Sequence, residues 1–280
     1  MRRHLSVVAA AMIIAAPLTF HGKARAADVL PYEAIYALRL THASSSGGPR
    51  AAVGIYESRF IETCAGWDTK SHTSLSLTFS DGAIFTNERF FSSLEAKNGR
   101  DYSFAVLTLK NGKSVEAYKG TATLAKRGGR ARYELPTQEG EKRGHIISLV
   151  LPQGTLFPAA HSLALLGSAE QGTPMFRRVV FSGSSSVGPR VLSIAIGPPL
   201  AAGQSKAAEI DRALLDMPSW RMSSAYFNLF EKRDIPNFEV FSRLSKSGVT
   251  ESFEQAFRDF TVSATLQRLR RLDRPVCTTP

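Results

Sequence analysis

From Pro31 onward apolar and polar residues alternate with a period of two, the pattern of strands that bury one face. Tyr36, Leu38 and Leu40 alternate with Ala37, Arg39 and Thr41. In the next run Val53, Ile55 and Ile61 share one face, and Tyr56 and Phe60 share the other. Leu75, Leu77 and Phe79 alternate with Ser74, Ser76 and Thr78, and Asp81-Gly82 then marks a hairpin before a strand over Ile84–Leu94. Asn98-Gly99 and Asn111-Gly112 are the strongest short hairpin signals, because a tight primed turn needs residues that accept positive φ. Between them Tyr102, Phe104 and Val106 alternate with Ser103, Ala105 and Leu107, and Lys126-Arg127-Gly128-Gly129-Arg130 reads as an exposed hairpin tip. The pattern predicts a meander of antiparallel strands with short loops.

The period changes once. Pro158 suits a first helical turn, Leu163, Leu166 and Ala169 recur at helical spacing, and Gly172 followed by Pro174 is a stop signal. A helix over Pro158–Gln171 is predicted. Strands resume at Met175–Phe181 and Arg190–Ile196, joined by the turn Ser182–Gly188. Pro198–Pro218 is less regular, with a helical turn through Lys206–Leu215. Trp220–Phe230 and Phe238–Leu244 read as strands, with Ser247-Gly248 as a turn. Beyond it two periods compete. Phe253, Ala256, Phe257 and Phe260 fit a helix, whereas Phe260, Val262, Ala264 and Leu266 fit a strand, so periodicity leaves Glu251–Arg258 open. No internal repeat or low-complexity linker divides the chain, which predicts one domain over residues 27–280.

The first residues add a compartment. Arg2 and Arg3 precede a mostly apolar run, Leu5–Phe20, and Ala24-Arg25-Ala26 has the small-x-small pattern of a cleavage site. Met1–Ala26 reads as a secretory signal peptide. A retained anchor is the competing reading, but the run falls short of the roughly 20 residues a span needs. Arg2, Arg3, Lys23 and Arg25 lie in this segment and no acid does, so cleavage lowers the formal charge from +11 to about +7. A basic exported chain suits an anionic lipid, glycan or acidic partner, or carries a solvated surface rich in Arg. Nothing in it resembles a nucleic-acid module. The two cysteines, Cys64 and Cys277, stand near opposite ends of the mature chain, and an oxidising compartment predicts that they pair.

Catalytic patterns are missing. His42, His72, His145 and His161 have no metal-ligand spacing, and paired cysteines supply no thiolate. In Gly183-Ser184-Ser185-Ser186-Val187-Gly188 a valine stands where a nucleophile elbow needs its second glycine, so a turn is the better reading. No Gly-rich run has the spacing of a phosphate cradle. Trp67 and Trp220 read as core aromatics. Arg268-Leu269-Arg270-Arg271 reads as an anionic docking patch or, more commonly, a solvated sheet edge.

Several stretches, in this order and spacing, resemble the EipB family of periplasmic cell-envelope integrity proteins. They are Tyr32-Glu33-Ala34-Ile35-Tyr36-Ala37-Leu38, Thr63-Cys64-Ala65-Gly66-Trp67, Leu151-Pro152-Gln153-Gly154-Thr155-Leu156-Phe157-Pro158-Ala159-Ala160-His161, Pro236–Val240 through Gly248–Thr250, Asp259-Phe260 and Cys277. Two positions depart: the family's Phe-Asp-Gly-Ser turn is Phe181-Ser182-Gly183-Ser184 here, and its Thr after Phe-Pro is Ala159. The resemblance implies a mainly β fold, a long antiparallel sheet curled into an open, spiral barrel with one central helix, similar to periplasmic lipoprotein carriers. It implies strands at the C-terminus, a periplasmic location, no catalytic activity, and a periplasmic tetratricopeptide-repeat protein as a type of partner. A curled sheet also offers a groove to a lipid or lipoprotein tail, with Phe157, Pro158 and His161 as candidate groove or helix-entry positions. The alternative is an envelope hydrolase whose site is assembled from residues distant in sequence.

Overall fold

The computed structural model of the protein describes residues 28–45, 47–136, 144–186, 188–202, 209–231 and 234–277. The signal segment Met1–Ala26, Val187 of the Ser182–Gly188 turn and the beginning of the helical turn expected at Lys206–Leu215 lie outside them.

A single meander makes the first half: β1 (Tyr32–Ala43), β2 (Ala51–Glu62), β3 (Gly66–Thr78), β4 (Ile84–Ala96), β5 (Asp101–Lys110), β6 (Lys113–Ala125), β7 (Gly128–Glu134) and β8 (Ile146–Leu151). A two-residue turn joins β5 to β6, where Asn111 has φ 48° and Gly112 φ 75°, as the Asn-Gly signal requires. The helix α1 (Pro158–Glu170) follows, then β9 (Met175–Val180), β10 (Arg190–Leu200), the short β11 (Glu209–Ile210), a 3-10 turn over Arg212–Leu214, β12 (Ser219–Asn228), β13 (Phe238–Ser245), β14 (Thr250–Ala256) and β15 (Phe260–Arg271).

All the strands belong to one sheet, in the order β8-β7-β6-β5-β4-β3-β2-β1-β15-β14-β13-β12-β10-β9, with β11 added in parallel beside β15. The first and last strands therefore pair in the middle, from Tyr32 opposite Arg271 to Ala43 opposite Phe260. The edges, β8 and β9, are the two strands that α1 connects, and the sheet is not closed into a barrel. A parallel bridge between Leu156 and Val180 ties the helix entry to the β9 edge.

Period-two alternation sets one face inward along the whole sheet. Tyr36 and Leu38 of β1 are buried, as are Phe104 and Val106 of β5 and Ile194 and Ile196 of β10. On β2 the expected division holds: Tyr56 and Phe60 pack inward, while Val53 and Ile55 are 59% and 41% exposed. Three apolar clusters fill the inner face. One joins β1, β2 and β15 to Leu214, Leu215 and Val249, and takes in Leu75, Leu77 and Phe79. A second seats Leu165, Leu166 and Ala169 of α1 on Phe176, Ile194, Trp220 and Met222. The third is aromatic, with Tyr102, Phe104, Tyr118, Tyr133, Phe157 and Phe181.

Residues Thr250–Ala256, left open by periodicity, form the strand that the family resemblance implies, because β13 and β15 pair with β14 on both sides. Three sequence expectations change. Among the described residues of the expected helical turn, Arg212–Leu214 are helical, preceded by the short strand Glu209–Ile210. The strand expected over Trp220–Phe230 stops at Asn228, whose N–H is taken by the Asn237 side chain at 2.7 Å. The Arg268–Arg271 run is no sheet edge, since β1 pairs along its whole length. There Leu269 is 2% exposed in the core, Arg268 pairs with Glu209, and Arg270 meets Glu33 at 2.9 Å.

Candidate functional site: helix entry, inner strap and outer row

The helix begins without a capping side chain of its own. Phe157 is the N-cap residue and makes no side-chain cap, Pro158 takes a first-turn position, and no acid stands in the first turn. A carboxylate from β4 supplies what is missing. Glu95, 3% exposed, accepts from the N–H of Ala159 at 2.7 Å and of Ala160 at 2.9 Å. It thus satisfies two of the unpaired donors every helix start carries and places negative charge at the positive end of the helix. Burial pushes its carboxyl above the ordinary carboxylate value, and the two N–H donors pull it back down.

Phe157 is fully buried and stacks on Tyr102 with 4.8 Å between ring centres. His161, one turn on, is 9% exposed, its ring edge-on to Phe176 at 5.5 Å, and its Nε2 has no partner among the described residues. Burial, assisted by the Arg178 charge, pushes its pKa down to about 4, so the ring is neutral. At the helix entry Phe157 and His161 are packed into the interior, while Pro158 is half-buried.

The sequence predicts a plain turn after β9, and the structure makes this segment an internal strap. Residues Ser182–Ser185 cross the inner face of β4–β7, and their carbonyls accept from four side chains in succession. Tyr102 OH donates to Ser182 O at 2.7 Å, Tyr118 OH to Gly183 O at 3.1 Å, an Arg89 terminal nitrogen to Ser184 O, and Tyr133 OH to Ser185 O at 3.0 Å. Gly183 has φ 63°, and a Cβ there would lie 2.3 Å from the Phe104 ring, so only glycine fits. Ser184 Oγ pairs with Ser182 Oγ at 2.7 Å, not with a histidine. A signal for the strap was present: Tyr102, Tyr118 and Tyr133 put hydroxyls among the buried rings of Phe104, Phe157 and Phe181, and buried hydroxyls need acceptors. Arg89 also donates to Thr108 at 2.7 Å and pairs with Glu116 at 2.8 Å.

Cys64 and Cys277 form a disulfide across 213 residues, with Cα atoms 5.6 Å apart. Around it Arg274 pairs with Asp28 at 2.7 Å and with Glu62 at 3.3 Å, and Lys97 sits 3.7 Å above the Trp67 ring. Trp67 stacks on Phe60, and Trp220 is buried against α1. Both are core aromatics, as read from the sequence.

The outer face carries a feature that periodicity could not show. Register lines up Ile35, Glu57, His72, Phe90 and Leu107 in one row across β1–β5. This row floors a concavity of about 560 Å³ bordered by Arg59 and Lys70. His72 lies flat on Phe90, 4.4 Å between ring centres, with Nδ1 3.1 Å from Glu57. Phe90 is 39% and Leu107 37% exposed. Two further hollows, of about 470 and 570 Å³, continue over the same face of β3–β8. Among the described residues no group of three or more His, Cys, Asp or Glu is placed to hold a metal, and no helix is long and apolar enough to cross a membrane.

A curled, unclosed antiparallel sheet wrapping one helix defines a β-barrel-like protein. Residues 23–273 match the EipB-like family, and the chain belongs to it. It is similar to the crystal structure of a β-barrel-like protein of the domain of unknown function DUF1849 from Brucella abortus, with a TM-score of 0.79 and 22% identity over 89% of this chain and 100% of that one. No curated protein matches the chain.

Proposed function

We propose that the mature chain, residues 27–280 after loss of the signal peptide 1–26, is a single-domain, non-enzymatic periplasmic protein that maintains the cell envelope by binding. Membership of the EipB-like family supports the envelope role, and a disulfide suits an oxidising compartment. The observation that carries the reading is the outer row, where Phe90 and Leu107 present apolar surface inside a charged border. Exposed apolar side chains within a polar rim are the anatomy of a docking surface. The inner face, by contrast, is occupied by α1, the strap and three packed clusters. The binding partner is a periplasmic tetratricopeptide-repeat protein or the apolar part of a lipid or lipoprotein. Native mass spectrometry of protein purified from the periplasm tests this. A co-purified protein or acyl chain, lost when Phe90 is replaced by Glu, is the expected result. Turnover of an envelope substrate by the pure protein, with nothing bound, would establish the hydrolase instead.

A further inference from the structure

On the inner face, remote from the outer row, one cation makes no direct ion pair among the described residues. Arg190 opens β10, half-buried, and its Nε donates to Asn228 Oδ1 at 3.2 Å. Its guanidinium lies 5.3 Å from the Phe238 ring, which is itself stacked on Tyr226. Its two terminal nitrogens have no hydrogen-bond or carboxylate partner among the described residues. The Arg89 charge acts on it from β4; of the acids nearby, Glu116 is engaged by Arg89 and Thr108, and Glu231 accepts from the Nδ2 of Asn228, on the far side of that side chain. Burial and Arg89 together hold Arg190 below the ordinary guanidinium value. A guanidinium presents five donors in a planar fork that matches carboxylate and phosphate, and a half-buried one is costly without such a partner. Phe238, backed by Tyr226, holds the group from one side, and Asn228 fixes its Nε edge, which orients the fork.

We propose that Arg190 is the receptor for an oxyanion, a carboxylate or phosphate group, where the inner face of β10 meets solvent. The site stands independently of the outer row. Near it Phe230 is 60% exposed, which gives an apolar neighbour to any chain attached to the anion.

The test is calorimetric titration of the disulfide-intact mature protein at low salt with inorganic phosphate and, separately, with decanoate below its micelle concentration. One saturable site is expected. Phosphate alone binding identifies a free oxyanion, whereas decanoate binding more tightly than phosphate identifies the carboxylate of an amphiphile. Arg190→Gln should weaken the bound anion on the order of tenfold to a hundredfold, the worth of a charge-assisted bond, with thermal unfolding confirming the fold. Arg190→Lys keeps the charge and stem but not the fork, and should lose several-fold. Phe90→Glu should leave the inorganic phosphate titration unchanged, which separates this site from the outer row. No saturable binding of either anion, or equal affinity in Arg190→Gln and wild type, overturns the proposal.

Discussion

Replacing Glu95 by alanine removes the acceptor that β4 extends to the helix entry. The N–H groups of Ala159 and Ala160 would lose bonds of 2.7 and 2.9 Å, the first in a buried position. A buried donor left unpaired costs about 1–3 kcal/mol, and the second, nearer the surface, recovers part of its loss from water. The helix also loses a negative charge at its positive end, worth about 0.3–1 kcal/mol. Together these give about 2–4 kcal/mol, a large part of the roughly 5–15 kcal/mol that holds a domain folded. For a domain of this size that lowers Tm by about 5–15 °C. Urea unfolding followed by the fluorescence of the buried Trp67 and Trp220 reads the change. Glu95→Gln keeps one carbonyl acceptor but turns an NH₂ toward the other donor, so about half the loss is expected. If Glu95→Ala unfolds within about 0.5 kcal/mol of wild type, the cap contributes nothing and the argument for the helix entry fails.

Loss of the disulfide through Cys64→Ser or Cys277→Ser should lower Tm without abolishing the fold. The chain-entropy model gives at most about 5 kcal/mol for a loop of 213 residues, while the β1–β15 ladder and Arg274 still hold the C-terminal segment. The double variant should match either single one in the same melt. His161 predicts a pH dependence with a definite sign. Its folded pKa is depressed to about 4 from 6.5, so the unfolded chain takes the proton first as pH falls. Stability is then full above 6.5 and declines between 6.5 and about 4, by about 3 kcal/mol in all, as linkage requires. Glu95, raised by burial, acts in the opposite direction on rising pH, so the measure is the difference between wild type and His161→Leu, which should lose the step. Ser184→Ala with Ser185→Ala leaves the strap carbonyls in place and should leave envelope resistance to detergent intact at normal abundance.

Much of the fold was legible because period-two alternation is a local signal. The faces of β2, the Asn111-Gly112 turn and the helix with its Gly172 stop all followed from neighbours in sequence. The disulfide followed from cysteine count and compartment. What escaped depends on pairing between distant segments. Nothing local to Thr250–Ala256 says that strands will flank it on both sides, and nothing in Tyr32–Ala43 names β15 as its neighbour. Glu95 escaped for a subtler reason: it alternates with Leu94 like any solvent-facing acid, but the register opposite Trp67 and Tyr102 turns it inward, to the helix start. The outer row escaped because its five residues are far apart in sequence and adjacent only across strands.

That row bears the central claim, that the protein serves the envelope by binding. Phe90 and Leu107 are both on the outer face and more than a third exposed, so replacing them should alter stability by no more than about 0.5 kcal/mol each. The direct measurement is detergent resistance of host cells whose sole copy carries Phe90→Glu with Leu107→Glu, alongside the periplasmic level and Tm of the variant. The account predicts lost resistance from a folded, normally abundant protein. Full resistance at normal abundance would contradict it.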